Sequence, residues 1–369
     1  MDKRGKRIFK LLDRYLGIPI LFTLGLFKRK CKLQKEVATI GILTVPAIGD
    51  IILLNGLLRD IKDFNNEIKI ILFVTKEVRA IAEIMNTYDE LIDIELYKPL
   101  KALRTLRQHP VDVFIDSSQW ARLNAILTFF SKSGYKIGFK TKNQYKHFIF
   151  DYAAEHSDKV HELYNYKKLI FTQGITVKNF PEINLSEKTD VKDDRVAIHI
   201  MPSGYLSELK RWNDKSWRDI IDYLLANNTE IYFTGSASDS MYMETLLNNY
   251  RGNEKIFNVA GKYSLKETAY LLLSSKLVIS VNTGIMHLAS TLGCNLIALH
   301  GPTDPKRWGP LNSNSIVVQS DYPEAPCLNL GFEYNCSDRT GECMNRISTE
   351  SVITAIKKFM NQNSAVSKV

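Results

Sequence analysis

V-N-T-G-I-M-H-L-A-S-T-L-G, Val281 to Gly293, followed by L-I-A-L-H-G-P-T-D-P, Leu296 to Pro305, is the stretch whose reading decides the fold. An apolar β-branched run, Leu277–Val281, breaks at Asn282-Thr283-Gly284. Small and apolar residues then continue at helical spacing over Ile285–Leu292, and a second apolar run, Leu296–Leu299, stops at His300-Gly301-Pro302. Strand, tight turn, helix and a further buried strand make the repeating unit of a parallel, doubly wound sheet. The free N–H groups at the start of such a helix point past the strand end, where they can hold a diphosphate without a metal. His287, one turn into the helix, reads as pocket lining, and the rigid loop carrying Thr303 and Asp304 shapes one wall of a nucleotide pocket.

The alternation extends outward from there. Val196–Ile200 and Glu230–Thr234 are strand candidates, with helices over Lys215–Ala226, Asp239–Tyr250 and Leu265–Ser274. Upstream, Val37–Val45, Ile68–Val74 and Val111–Ile115 read as buried strands separated by helices at Ile51–Lys62, Lys76–Asn86 and Trp120–Ser131. Asp151–Val177 reads as one longer helical region, and the polar run Asn184–Arg195 as a linker. The expected fold class is α/β, with two Rossmann-like domains, 36–183 and 184–347, facing a central cleft. Ligands are expected at the carboxyl ends of both sets of strands. Residues 348–369 form a C-terminal helix, Thr349–Met360, and a tail, expected to return to the first domain.

The chain has 369 residues, of which 45% are hydrophobic and 24% charged, the composition of a globular protein with full-sized cores. Five Cys in this length give no disulfide framework and fit a reducing compartment. The net charge of +9 is confined to residues 1–35, which hold eleven Lys and Arg against two acids, while the remaining basic and acidic groups balance. The body therefore lacks the basic footprint of a nucleic-acid binder. Between the basic clusters lies Tyr15 to Phe27, thirteen mostly apolar residues that Pro19 is expected to interrupt. As helix they would rise about 20 Å, short of the roughly 30 Å hydrocarbon core. Lys28-Arg29-Lys30 follows where a signal peptide would need small residues. The arm reads as a helix wedged into one leaflet of an anionic membrane surface, the alternative being a first helix packed on the body. The expected location is cytoplasmic, peripheral to the inner membrane.

The first strand ends in T-V-P-A-I-G-D, Thr44 to Asp50. Gly49 allows a tight turn and Asp50 falls at the helix start, either as a proton acceptor kept ionised by the helix N-terminus or as a plain N-cap. In the second half, Ser203 and Gly204 could present a hydroxyl and bare backbone to a phosphate, with Lys210 and Arg211 to neutralise it. Asp239, at the next strand end, is equally a helix cap or a ligand contact. Cys327, Cys336 and Cys343 lack the close pair of a zinc site and read as reduced structural thiols. No G-x-G-x-x-G follows the first strand of either half, which disfavours a dinucleotide-dependent dehydrogenase.

Three elements in order, I-G-D at Ile48–Asp50, K-R-W at Lys210–Trp212, and T-G-x-x-H-L-A-x-x-L-G with G-P-T-D-P at Thr283–Gly293 and Gly301–Pro305, resemble glycosyltransferase family 9 over about residues 37 to 360. Its best-known members are ADP-heptose:lipopolysaccharide heptosyltransferases. The resemblance implies the GT-B architecture and an inverting, metal-independent and cofactor-free transfer of a sugar. The donor would be a nucleotide diphosphate such as ADP-heptose, and the acceptor a lipopolysaccharide-type or other envelope glycolipid. It implies that the first domain binds acceptor, with Ile48 and Gly49 beside it, and that the second binds donor. Asp50 matches the family's base and Lys210 the lysine that stabilises the departing diphosphate. Thr283, Gly284 and His287 match the donor loop, and Asp239 falls where a glutamate contacts the nucleoside. Asn282 replaces the usual Asp of D-T-G and Asn213 the Pro that often follows K-R-W, departures that bear on the identity of the donor. A nucleotide-sugar epimerase and a non-catalytic nucleotide-sugar-binding protein are the competing readings.

Overall fold

The computed structural model describes residues 7–29, 31–170, 174–185, 190–204, 206–328 and 340–361. The chain forms two compact units that part between Glu182 and Ile183. In the first, helix α1 (Arg7–Phe27) is followed by β1 (Thr39–Leu43), α2 (Ile48–Phe64), β2 (Lys69–Val74), α3 (Lys76–Met85) and β3 (Glu90–Asp93). Then come α4 (Pro99–Gln108), β4 (Val111–Asp116), α5 (Arg122–Phe130), β5 (Ser133–Lys140), β6 (Tyr152–Glu155) and α6 (Glu162–Lys167). The second unit opens with β7 (Lys192–His199), α7 (Asp214–Ala226), β8 (Glu230–Phe233), α8 (Ser240–Leu246) and β9 (Ile256–Asn258). It continues through α9 (Leu265–Ser274), β10 (Ser275–Val281), α10 (Gly284–Thr291), β11 (Leu296–His300) and α11 (Pro305–Trp308). β12 (Ser315–Gln319), α12 (Glu342–Asn345) and α13 (Thr349–Met360) complete it.

Each unit is built on a six-stranded sheet, ordered β3-β2-β1-β4-β5-β6 in the first and β12-β11-β10-β7-β8-β9 in the second. Every pairing is parallel. In both sheets the first strand in sequence lies beside the fourth, β1 beside β4 and β7 beside β10. The winding reverses at that seam, and the loops leaving the two strands diverge to opposite faces, opening a crevice at their carboxyl ends. Central strands are buried on both sides, which is why β10 (S-K-L-V-I-S-V) shows no polar alternation. Local signals fix the helices: Ser264 and Glu267 form a reciprocal capping box on α9, and Asn213 caps α7 through Ser216 N–H.

Four expectations are corrected. Asp151–Val177 is not one helix; it holds β6, a loop and the short α6. The run Asn184–Arg195 is not wholly linker, because β7 begins at Lys192, and residues 186–189 lie outside those described. Helix α13 joins the second unit: Val352, Ala355, Ile356 and Phe359 are part of that unit's core with Trp212, Trp217 and Ile279. Pro19 does not end α1, which runs through it for 21 residues.

The first unit clamps α1 on both sides of that proline. Asp13 pairs with Arg122 at 3.0 Å and accepts from the N–H groups of Arg122 and Leu123, capping α5, which has no side-chain cap of its own. Leu21 is fully buried against Ala125, Ile149 and Phe150. Lys28 reaches Asp151 at 3.5 Å. The fixed tertiary contacts offset the backbone hydrogen bond that proline cannot make.

Candidate active site

At the first seam, Thr44 leaves β1 with its N–H and hydroxyl both donating to Phe73 O, at 3.1 and 3.0 Å. Ala47 is the N-cap of α2 and makes no side-chain cap bond; Asp50 is the third helical residue. The simple N-cap reading of Asp50 is thereby removed. Its Oδ1 instead accepts from Gln119 Nε2 at 2.8 Å and from Tyr166 Oη at 2.7 Å. Asp50 is half-buried, while Gln119 and Tyr166 are buried.

The partner side chains are held as firmly as the acid. Gln119 lies just past β4, on a turn anchored to β1 by Ser117, whose N–H and hydroxyl donate to Leu43 O at 3.1 and 2.9 Å. Behind the turn, Lys146 has no exposed surface. Its Nζ donates to Ser118 O and Oγ at 2.5 and 2.7 Å and pairs with the equally buried Asp116 at 2.8 Å. Burial lowers the Lys146 pKa, and Asp116 opposes that shift. Tyr166 comes from α6, which closes on α2 at Gly56: a β-carbon there would meet Leu163 Cδ1 at 2.8 Å and Asn179 O at 3.0 Å. A buried pair between Lys167 and Asp60 at 3.2 Å locks the same interface. Burial, and then the charges of Asp50 and Glu162, push the Tyr166 phenol well above its ordinary pKa, so it remains a donor.

At the second seam the groups are different. His199 ends β7 against Thr234 Oγ1 at 2.9 Å, and burial drives its pKa down to about 4, leaving it neutral near pH 7. The loop beyond turns through Gly204 at φ 88°, a left-handed position with open space where a side chain would project. Lys210 returns from a short 3-10 turn with Nζ donating to Ser203 O at 2.8 Å. It is buried, has no carboxylate within ion-pair distance among the described residues, and burial lowers its pKa to about 8. From the adjacent β10, Thr283 caps α10 through Ile285 N–H at 3.0 Å, and Gly284 begins the helix. Ser203, Gly204 and Lys210 thus flank the same seam as Thr283 and Gly284, with His287 buried in the helix's first turn.

Other expected ligand residues are engaged elsewhere. Asn282 Nδ2 donates to Trp308 O at 3.1 Å, tying β10 to α11. Asp239 accepts from Ser236 N–H and Oγ at 2.7 and 2.6 Å, the capping arrangement. Arg211 lies over the Tyr242 ring at 4.3 Å. Thr303 contacts His300 Nδ1 at 3.2 Å, and Asp304 caps α11 through Lys306 N–H. Ile48 and Gly49 form the first turn of α2, half-exposed. Cys327 is half-buried and Cys343 buried, whereas Cys336 lies outside the described residues.

Two doubly wound units, one with a carboxylate at its seam and the other with a buried lysine beside a helix N-terminus, define a two-domain α/β protein. The chain belongs to glycosyltransferase family 9 (heptosyltransferase), whose sequence profile matches residues 100–336. Among curated relatives, lipooligosaccharide heptosyltransferase 2 of Haemophilus influenzae is 24% identical over 216 residues, covering 53% of this chain and 62% of the relative. Lipopolysaccharide heptosyltransferase 1 of Escherichia coli is 30% identical over 125 residues, covering 34% of this chain and 37% of the relative. The chain therefore matches less than two thirds of the length of most of these relatives. The fold is that of the E. coli ADP-heptose heptosyltransferase II structure, at a TM-score of 0.71 and 17% identity, covering 89% of this chain and all of that one. A family 9 protein of Veillonella parvula superposes at a TM-score of 0.72 and 18% identity, covering 90% and 100%.

Proposed function

We propose that the protein is an inverting glycosyltransferase that moves a heptose-like sugar from a nucleotide diphosphate donor, ADP-heptose or similar, to a lipopolysaccharide-type envelope glycolipid. The observation that carries the reading is the Asp50 carboxylate at the first seam, oriented by two donors. In the proposed step an acceptor hydroxyl gives its proton to Asp50 as its oxygen bonds to the anomeric carbon. The bond from that carbon to the diphosphate breaks on the opposite face, which inverts the anomeric centre. Lys210 and the first N–H groups of α10 meet the charge that develops on the departing diphosphate, so the step draws on no metal or other cofactor.

Asp50→Asn keeps the shape and removes the proton acceptor. It should lower the transfer rate by about 10²- to 10⁴-fold while the nucleotide-sugar dissociation constant stays within about twofold. Near-normal turnover would show that Asp50 is not the base. Donor incubated without acceptor should return unchanged; isomerised sugar would favour an epimerase, and binding without consumption in the presence of envelope acceptors would favour a carrier.

The arm is proposed to rest on an anionic membrane surface at the cytoplasmic face. None of the described helices is long and apolar enough to cross a bilayer. The outward side of α1 carries Leu12, Tyr15, Leu16, Leu26 and Phe27, all exposed, with Leu26 84% exposed. Arg29, Lys32 and Lys35 follow, also exposed. Apolar burial in the acyl boundary plus cations at head-group level is a sufficient driving force for docking. Leu16→Glu combined with Leu26→Glu should reduce sedimentation with vesicles containing anionic phospholipid by at least tenfold; unchanged sedimentation would remove α1 from the interaction.

A further inference from the structure

The side chains around Asp50 go beyond what its role as a base requires. Gln119 Nε2 contacts Asp50 Oδ1 at 2.8 Å, Tyr166 Oη at 2.8 Å and Glu162 Oε1 at 3.2 Å. Two carboxylates on one side of the amide dictate which end faces them, since only the NH2 end can donate. Glu162 is itself fully buried and fixed by His156 Nε2 at 2.7 Å and by Asn165 Nδ2 at 3.1 Å. The Tyr166 hydroxyl donates to Asp50 Oδ1, while the two protons of the Gln119 amide serve two of its three neighbours, Asp50, Glu162 and Tyr166, at a time. These contacts reach Asp50 from two sides, Gln119 from the exit of β4 and Tyr166 from α6.

We infer that Gln119 and Tyr166 are positioning residues for transfer, fixing the rotation of the Asp50 carboxylate relative to the acceptor hydroxyl. A carboxylate that accepts from Gln119 and Tyr166 through Oδ1 cannot turn about its Cβ–Cγ bond without breaking a charge-assisted hydrogen bond. The inference rests on the reading of Asp50 as the base. Among the described residues, Tyr166 and Glu162 from α6 face the site, with His156 behind Glu162 and the Asp116–Lys146 pair behind the Gln119 turn.

Tyr166→Phe removes one hydroxyl and keeps the ring, which packs on Phe139 at 6.0 Å between centroids. In the full-length protein, kcat should fall about 10- to 100-fold, the scale set by a small misplacement of a reacting group. The donor dissociation constant should not change. KM for the acceptor should stay within about twofold, so that the loss falls on kcat. Gln119→Leu should give the same pattern from the opposite side, so either variant suffices if the other does not fold. A merely structural Tyr166 would lower the melting temperature without a selective loss of kcat. That result, or a kcat within twofold of the parent in both variants, would overturn the positioning role. Asp50→Asn measured alongside separates the two ideas. An inactive Asp50→Asn with unaffected Tyr166→Phe sinks the positioning inference alone, and an active Asp50→Asn sinks the base and its positioning together.

Discussion

Where β1 and β4 part in the first unit, side chains share protons: a carboxylate, an amide and a phenol are linked, with a second carboxylate and a histidine behind them. Where β7 and β10 part in the second, a neutral histidine, a threonine spent on capping and a buried lysine bonded to a carbonyl stand next to a helix start. The two sheets have the same strand order and the same reversal of winding. Backbone topology therefore sets where chemistry happens in each unit, and the side chains leaving the seam strands set its sign. In the proposed reaction the first takes a proton from the acceptor hydroxyl and the second receives the departing diphosphate.

The strongest way to break that contrast is to neutralise the second seam. Lys210→Met keeps the aliphatic stem and removes the charge; it should lower kcat/KM by about 10²- to 10³-fold, the usual cost of losing one donor to a developing oxyanion. The ionisation of Lys210 sharpens the test. Burial lowers its pKa to about 8, and a bound diphosphate favours the cation, so donor binding should raise that pKa. Donor affinity should then be full below pH 8 and fall as pH rises past it, approaching tenfold per unit until the pKa of the bound state is reached. Titration calorimetry from pH 7 to 9.5 reads the slope directly. A flat profile in the parent protein, or the same slope in Lys210→Met, would show that another group carries the charge.

Much of this was legible in the sequence, and the gaps have physical causes. Buried central strands write themselves as apolar runs, so β1, β2, β4, β7, β8, β10 and β11 could all be located. The edge and half-exposed strands could not: β5 (S-G-Y-K-I-G-F-K) and β6 (Y-A-A-E) carry polar residues or are too short to show a period. Losing β6 is what turned Asp151–Val177 into a single helix and hid Tyr166 inside it. Asp50 and Lys210 were visible because their neighbours form compact motifs. Gln119 was missed because its significance is topological. It follows an ordinary strand, and only the adjacency of β4 to β1 brings it to Asp50. A rule that examines the residue leaving the fourth strand of a doubly wound unit would have found it. The place of Asn282 in the motif points to the donor, whereas its side chain holds α11, after β11, through Trp308 O.

That loop contact gives the smallest and most discriminating perturbation. Asn282→Asp would introduce at the second seam the carboxylate that D-T-G sequences carry. The new oxygen cannot donate to Trp308 O, so the 3.1 Å bond is lost and two acceptors face each other in a buried place. An unsatisfied buried acceptor costs about 1–3 kcal/mol, partly offset here because a negative charge is favoured at the N-terminus of α10. The variant should melt a few degrees lower and bind donor several-fold more weakly, well short of the Lys210→Met effect. Equal stability would mean that the Asn282 amide contributes nothing to joining β10 and α11. Unchanged donor affinity would mean that the second seam tolerates a carboxylate, and the contrast in sign would then rest on Lys210 alone.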